Sequence, residues 1–567
     1  MKNKFRRSIA PETKEKVLPS SIFVIVCFVM AAAIVAVYSP SLNFQFILDD
    51  HSFITDPLIQ VSGHVCEYFT SYVWSQIPNA PPSFYRPAFV LWMRLNFILN
   101  ELSPWGWHLL SILKHLAVAV LLGLLAWKLL RDRIAALIAA TLFALHPAQT
   151  ESVAWITVPD PLMSAAVLGA LLLYLKYADR PFPIAQRRET KSRGKTRRKN
   201  RAKGLPPAVW AIASAVVCFA ALLSKETALV LPFFVLALAL LSAVSLPDHT
   251  GTTPSARLRI FAVTRQVYPF LIVTVLYLLL RVNALKGSFI PQTQHLPWTT
   301  VLWSWPEMLW FYIKVIFWPA RSRAFADPTL TNGFSIHGVL MPALGVCCAV
   351  AALVGFCAWA WSNARHKLPY QEALNVHRAI LLGVLIFILP LVPTLNVNVL
   401  NPGDFLHGRY TYLPLAGLML LLSVGFHLVR RQQIAILSVV TLIVIAFSLL
   451  TIMQEDMWKD DMTVFTVGHE IAPNNAWVAH KLSQANVQLA LTLDEAGRCN
   501  EAMPIFDQAI QQYPQDWFAW AGRGECFFKL NDLPRAEHDL RRAYELSHEP
   551  RVAEAWEEIH TRMQAAQ

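Results

Sequence analysis

Charge is scarce in this 567-residue chain: Asp, Glu, Lys and Arg make up 15% of it against 55% hydrophobic residues, and the mean hydropathy is +0.41. That balance excludes an ordinary soluble globular protein and reads as a polytopic membrane protein. Paired cysteines are missing too. The 8 cysteines form no CxxC and no framework spacing, and Cys27, Cys218, Cys347, Cys348 and Cys357 lie in apolar runs as small apolar side chains. Cys499 and Cys526 fall in the polar C-terminal part, where pairing requires an oxidising compartment. The apolar run 18 to 38 lacks a small-residue cleavage site, which excludes a cleaved signal peptide and leaves a retained anchor. The net charge of +12 does not indicate nucleic acid. Much of the excess sits in RPFPIAQRRETKSRGKTRRKNRAKG, between two apolar runs, where a cytoplasmic loop explains it.

Long apolar runs are what the chain has in abundance. Eleven are capable of spanning a bilayer: 18 to 38, 107 to 130, 134 to 147, 159 to 177, 207 to 223, 227 to 245, 266 to 283, 337 to 361, 379 to 396, 410 to 428 and 433 to 453. PEMLWFYIKVIFWP is too short to cross and carries Glu307 and Lys314, so an interfacial or re-entrant helix is expected there. With 11 spans the basic clusters at MKNKFRR, 131 to 133, 180 to 204, 256 to 259, 364 to 367 and 430 to 431 all fall on one side, which the positive-inside rule makes cytoplasmic. The N-terminus is then inside and the C-terminus outside. The outer segments are 39 to 106, HPAQTESVAWITVPD, the SKE turn, 284 to 336 and NVNVLNPGDFLHGR. They gather most of the acidic and histidine residues near the membrane, and polar groups collected at one end of a bundle suggest a site.

After Met453 the composition becomes that of a soluble domain with a period of 34 residues. Ala485 and Ala519, Glu501-Ala502 and Arg535-Ala536, and Ala509 and Ala543 are separated by that interval, with Pro514 and Pro550 near repeat ends. This predicts two tetratricopeptide repeats, about 482 to 515 and 516 to 549, followed by a capping helix at AEAWEEIHTRM. So small an array requires docking on the membrane domain or another subunit, and it either binds a polypeptide or serves as a structural cap.

The order of short motifs is more specific than any one of them. FILDDHSFITDP is followed by SFYRPAFVLWMRLNFILN, GWHLLSILKH, LFALHPAQTESVAW, LLSKETALVLP, GRYTYLPLAGL and the repeats. Across nearly the whole chain this series resembles the transmembrane and tetratricopeptide-repeat O-mannosyltransferases and their bacterial relatives, in the GT-C superfamily of polyprenyl-phosphate-dependent glycosyltransferases. The chain departs from that pattern at Asp56-Pro57, where the family commonly has Asn-Pro, and at Gly408-Arg409-Tyr410, where it commonly has Glu-Arg-Tyr.

The resemblance implies an all-α fold: a GT-C-like transmembrane bundle over 18–453, after a basic cytoplasmic N-terminus at 1–17, then an extracytoplasmic repeat domain over 454–567. It also implies a polyprenyl-phosphate sugar donor, an inverting transfer of a sugar, mannose by analogy, to Ser or Thr of proteins, and no obligatory metal or other cofactor. The expected partners are the lipid-linked donor, a protein or peptide acceptor met through the repeats, and the membrane, and the expected location is a bacterial inner membrane with the repeats on the periplasmic side. A lipid or envelope-glycan acceptor is the second enzymatic reading, and a noncatalytic anchored scaffold is the reading of another class.

In-line attack by a hydroxyl needs a base and positive charge for the departing phosphate. The family motif carries the base onto Asp49, with Asp50 orienting the acceptor, and the reverse assignment stays open. Apart from the resemblance, helix capping or loop solvation explains both carboxylates. Arg86, Lys225 and Arg409 are the candidates for the phosphate, against snorkelling as the plainer role. His146, Glu151, Glu226 and Tyr410 support them: His146 and Glu151 as hydrogen-bonding groups at the rim, Glu226 as a local ion-pair partner of Lys225, Tyr410 beside the isoprenoid or in the aromatic belt with Tyr412. His108 and His115, seven apart on one helix, read as polar contacts between helices.

Overall fold

The computed structural model describes residues 20–77, 82–179, 205–244, 255–287, 295–319, 325–327, 330–400, 403–429 and 433–566. The expected N-terminal segment 1–17 and the basic loop 180–204 lie outside the described residues. Among those described the chain is helical, with no β-strand. The principal helices are α1 (Ser20–Tyr38), α2 (Asp49–Thr55), α3 (Pro87–Asn100), α4 (Pro104–Leu130), α5 (Arg133–Ala144), α6 (Asp160–Ala178), α7 (Pro207–Ser224), α8 (Leu231–Val244), α9 (Ala256–Ala284), α10 (Trp298–Phe317), α11 (Met341–Lys367), α12 (Tyr370–Ile388), α13 (Tyr412–Leu428) and α14 (Gln433–Glu455). They continue as α15 (Asp461–Ile471), α16 (Ala476–Glu495), α17 (Cys499–Gln512), α18 (Trp517–Lys529), α19 (Leu533–Ser547) and α20 (Pro550–Ala566).

Ten of these helices, with the turns that extend them, are long and apolar enough to cross a membrane, and the chain is an integral membrane protein. The eleventh expected run forms α5, only 12 residues long. Asp132 caps its start by accepting from the backbone N–H groups of Ile134 and Ala135. Pro147 ends it early, because a proline disfavours helical backbone at the residue before it. The segment nevertheless returns the chain to the end of the bundle where α4 began: Ser111 Oγ donates to the Val153 carbonyl at 2.7 Å. The run expected to be too short to cross is part of α10, which starts eight residues earlier than PEMLWFYIKVIFWP and reaches 20 residues.

Lipid-type surface and packed core divide along the helices. Leu442, Leu449 and Met453 of α14 and Phe28 of α1 are exposed, whereas α13 is buried over most of its length. Backbone contact between α12 and α13 explains that burial. A Cβ on Gly417 would lie 2.5 Å from the Phe387 nitrogen and 2.6 Å from the Gly383 carbonyl oxygen, so only glycine permits the crossing. The end of α12 and the GRYTY turn are thereby brought together. At the opposite end of the bundle Asp179 pairs with Lys128 and Arg378, and Asp132 with His427.

Beyond α15 the chain forms two helix pairs, α16 with α17 and α18 with α19, and the single helix α20. Ala502, Ala509, Ala519, Ala536 and Ala543 are all buried where these helices pack, as the 34-residue period requires. A separate apolar cluster joins this region to the bundle. It contains Phe44 and Ile47 from the first loop, Trp155 and Val158 from the 150–158 turn, and Trp458, Phe465 and Val478 from the chain entering the repeats.

Candidate functional site

Helix α2 begins abruptly at the acidic pair. The preceding residue, Leu48, has φ +53° and ψ −125°, a conformation costly for a branched side chain. Asp461, at the start of α15, holds it there. Its Oδ1 accepts from the Leu48 N–H at 2.8 Å, and its Oδ2 lies 2.8 Å from His51 Nε2. The two carboxylates that follow Leu48 face different surroundings. Asp50 is fully buried and accepts from the N–H groups of Ile47 and Thr157, both at 3.1 Å. Burial pushes its pKa up to about 7 against these hydrogen bonds. Asp50 therefore ties the first loop to the 150–158 turn.

Asp49 is open to solvent, yet protein surrounds it closely enough that burial raises its pKa. Arg409 opposes the rise, Asp404 adds to it, and Lys481 and His407 oppose it. Asp49 is thus within electrostatic reach of the GRYTY turn and of α16.

Arg409 lies over the Trp155 ring, with its guanidinium carbon 4.3 Å from the centroid. Its backbone N–H donates to Glu151 Oε2 at 2.9 Å, while Nη1 is 3.6 Å from Glu151 Oε1. His407 is buried between two acids, with Nδ1 3.1 Å from Glu151 Oε1 and Nε2 2.8 Å from Asp404 Oδ1. Burial and Arg409 oppose protonation of His407, but Asp404 and Glu151 outweigh them and raise its pKa. Deeper in the same end, Lys225 Nζ donates to both oxygens of Asp160, at 2.6 and 2.8 Å, and lies 5.1 Å from the Tyr410 centroid. Arg86 makes a forked pair with Glu226 at 2.6 and 3.1 Å and covers Phe84.

The structure brings Asp49, Arg86, Glu151, Lys225, Glu226, Arg409 and Tyr410 to one end of the bundle. The expected roles of His146, Glu226 and Tyr412 require correction. His146 is not a rim group: its Nδ1 accepts from the Ala148 N–H and its Nε2 bonds the Ile316 carbonyl, so it is a buried cap of the turn. Glu226 pairs with Arg86 rather than with its neighbour Lys225, because the backbone turns at Lys225 and sends the two side chains apart. Tyr412 points inward to His115 Nδ1 at 2.7 Å, away from any lipid, and His115 also reaches the Ala144 carbonyl, as expected of a contact between helices.

Several site residues escaped the sequence reading. Asp160, Asp404, His407 and Trp155 stood within the outer segments already noted, but nothing in their spacing pairs them with Lys225, Glu151 or Arg409. Lys114 was hidden inside an apolar helix. It is buried, faces the Trp92 ring at 5.9 Å, and has no hydrogen-bond partner among the described residues. Glu151, Asp160, Glu226 and Asp404 each face a lysine, arginine or histidine, and the group of metal-type ligands found among the described residues is Asp494, Cys499 and Cys526.

A helical membrane bundle with paired cations and acids at one end, and a helical-repeat region docked over it, is the class these features define. The chain is similar to the human protein O-mannosyl-transferase TMTC3, with 23% identity over 91% of this chain and 54% of that protein, and equally to the mouse protein, with 23% identity over 90% and 53%. Drosophila melanogaster Tmtc1 matches at 31% identity over 25% of this chain and 16% of its own length. The chain therefore spans about half the length of the human and mouse relatives. No protein-family model matches it. Among solved structures, the archaeal oligosaccharyltransferase AglB from Archaeoglobus fulgidus aligns with TM-score 0.39 and 12% identity over 82% of this chain and 60% of its own. ArnT from Cupriavidus metallidurans aligns with TM-score 0.36 and 14% identity over 92% and 79%. At these scores the overlap carries no inference about activity.

Proposed function

We propose that this protein is an inverting membrane glycosyltransferase that moves a sugar, mannose by analogy with its relatives, from a polyprenyl phosphate to Ser or Thr hydroxyls of a polypeptide. One observation carries the reading: Asp49 presents a solvent-exposed carboxylate, on which the Arg409 charge acts, at the end of the bundle that also holds Arg86 and Lys225. The acceptor hydroxyl attacks the anomeric carbon, Asp49 takes its proton, and the bond to phosphate breaks with the electron pair leaving on the phosphate oxygen. Of Arg86, Lys225 and Arg409, Arg409 is the least tightly paired by distance, at 3.6 Å from Glu151, so its fork serves the phosphate best. Lys225 and Arg86, each already held by a carboxylate, set the positive field around it. Asp50 positions Asp49 through the backbone.

The positive-inside bias supports an outward-facing site with the repeats over it, as in the periplasm of a bacterium. The contacts from α15 and α16 to the acidic loop support a role of the repeats in presenting the polypeptide. The test is transfer of labelled mannose from polyprenyl phosphate to a Ser/Thr peptide library, with envelope glycan and lipid acceptors alongside. Label on peptide supports the proposal. Label confined to glycan or lipid replaces the acceptor, and no transfer to any of the three overturns the enzymatic reading.

A further inference from the structure

Two cysteines far apart in the sequence meet inside the C-terminal repeats. Cys499 opens α17 and Cys526 lies in α18, so they come from neighbouring helix pairs. Both are buried. Their sulfurs converge on a single oxygen: Cys499 Sγ lies 3.0 Å and Cys526 Sγ 3.1 Å from Asp494 Oδ1, and these three atoms lie within 4.8 Å of one another. The second oxygen of Asp494 accepts from Lys529 Nζ at 2.8 Å, and that ammonium also donates to the Asp494 carbonyl.

The cluster resembles a cation site in composition, but its electrostatics oppose one. Metal binding requires thiolates, whereas burial and the adjacent Asp494 raise the pKa of both thiols. Lys529 already neutralises the carboxylate, and a bound cation would sit beside that ammonium. Three candidate ligands also fall short of the four that a closed structural zinc site uses. Two neutral thiols this close, on elements that pack directly, have a different chemistry open to them.

We propose that Cys499 and Cys526 form a disulfide that staples α17 to α18 and so joins the two helix pairs. A disulfide donor, such as oxidised glutathione or an oxidised dithiol oxidoreductase, reacts with one thiolate to give a mixed disulfide and one released thiol. The second cysteine then attacks its partner's sulfur and releases the second thiol. Two S–H bonds are lost, one S–S bond forms, and the donor is reduced by two electrons. Burial restricts this exchange to folding or to local opening of the helix pairs. The benefit falls where it is needed, since two repeats are fewer than usually suffice for stability and a cross-link constrains the unfolded chain.

The test uses the full chain in detergent, prepared reduced and then placed in a glutathione buffer poised as in an oxidising compartment. After acid quenching, alkylation and digestion, the Cys499 peptide is expected joined to the Cys526 peptide and lighter than their sum by two hydrogens. Exposed Cys66 serves as the internal reference for an unpaired thiol. Recovery of Cys499 and Cys526 as alkylated thiols, or as separate glutathione adducts, overturns the proposal. So does one zinc per chain that Cys499→Ser removes. The oxidised protein is also expected to melt roughly 5 °C or more above the reduced one. In Cys499→Ala/Cys526→Ala that reductant dependence disappears, and if it persists unchanged the staple is elsewhere. These readouts use no sugar transfer, so they stand or fall apart from the proposed activity.

Discussion

The backbone N–H of Leu48 donates to Asp461 Oδ1 across 2.8 Å, so a residue at the entrance to the C-terminal repeats holds the peptide immediately before Asp49. The other oxygen of Asp461 engages His51 on the far side of the acidic pair. Removing this carboxylate frees a strained backbone at the proposed base. Asp461→Ala is expected to lower kcat about 10-fold or more through misplacement of that base, while the KM for the lipid donor stays unchanged. Steady-state kinetics with the donor varied checks this, and a rise in donor KM with kcat intact would assign Asp461 to binding.

Asp49 and Asp50 separate experimentally because their partners differ. Asp50→Asn turns an amide N–H toward a backbone donor that the carboxylate accepted from, leaving a buried mismatch that costs about 1–3 kcal/mol. Its thermal midpoint is expected to fall. Asp49→Asn, at an exposed position, is expected to leave the midpoint unchanged. Thermal unfolding of the two purified variants in the same detergent compares them directly.

Arg409 combines stacking on Trp155 with a planar fork, and lysine reproduces neither. Arg409→Lys is expected to weaken binding of a polyprenyl phosphate by roughly 10-fold or more, given about 1.5–3 kcal/mol for a charge-assisted hydrogen bond. Titration of the phosphate lipid against the intrinsic tryptophan fluorescence measures it. Equal affinity in both proteins would return the phosphate to Lys225 or Arg86.

His407 carries a pH signature. Its pKa is raised in the fold, against burial, by Asp404 and Glu151. The stabilisation it supplies is therefore complete below its unfolded value of about 6.5 and is lost as pH rises through the higher folded value. Wild type is expected to lose thermal stability over that interval more steeply than His407→Gln, which cannot titrate. Melting curves from pH 6 to 9 test the difference, and parallel curves would remove His407 from the linkage.

A further clamp lies at Asn475. Its side-chain oxygen caps α16 by accepting from the Trp477 and Val478 N–H groups, and its amide donates to the carbonyls of Ala326 and Gly403. Gly403 has φ +77°, a backbone that favours glycine, and a Cβ there would lie 3.0 Å from the Trp477 Cβ. Asn475→Ala is expected to cost about 1–3 kcal/mol and to increase proteolysis between 400 and 480. Unchanged cleavage there would show that the repeats stay docked without it.

Apolar runs and the 34-residue alanine period are local signals, and both elements were legible because each residue reports on its own helix. Capping is local too, yet Pro147 shortened α5 where hydropathy alone ran past it. The pairing of ions was not legible. Lys225 and Glu226 are adjacent in sequence and pair with Asp160 and Arg86 instead, a choice made by the turn at Lys225 and by which helices meet there. Asp461 could not be found at all, since a carboxylate at a helix start is first of all a surface residue, and only the folding of the repeats back onto Leu48 gives it a partner.

The most direct measurement of the catalytic assignment is single-turnover transfer from polyprenyl-phosphate mannose to a Ser/Thr peptide by wild type and Asp49→Asn, with lipid-donor binding measured on the same samples. Loss of the base is expected to slow transfer by about 10²–10⁴-fold while the donor still binds. Transfer by Asp49→Asn at the wild-type rate would contradict the assignment of Asp49 as the base.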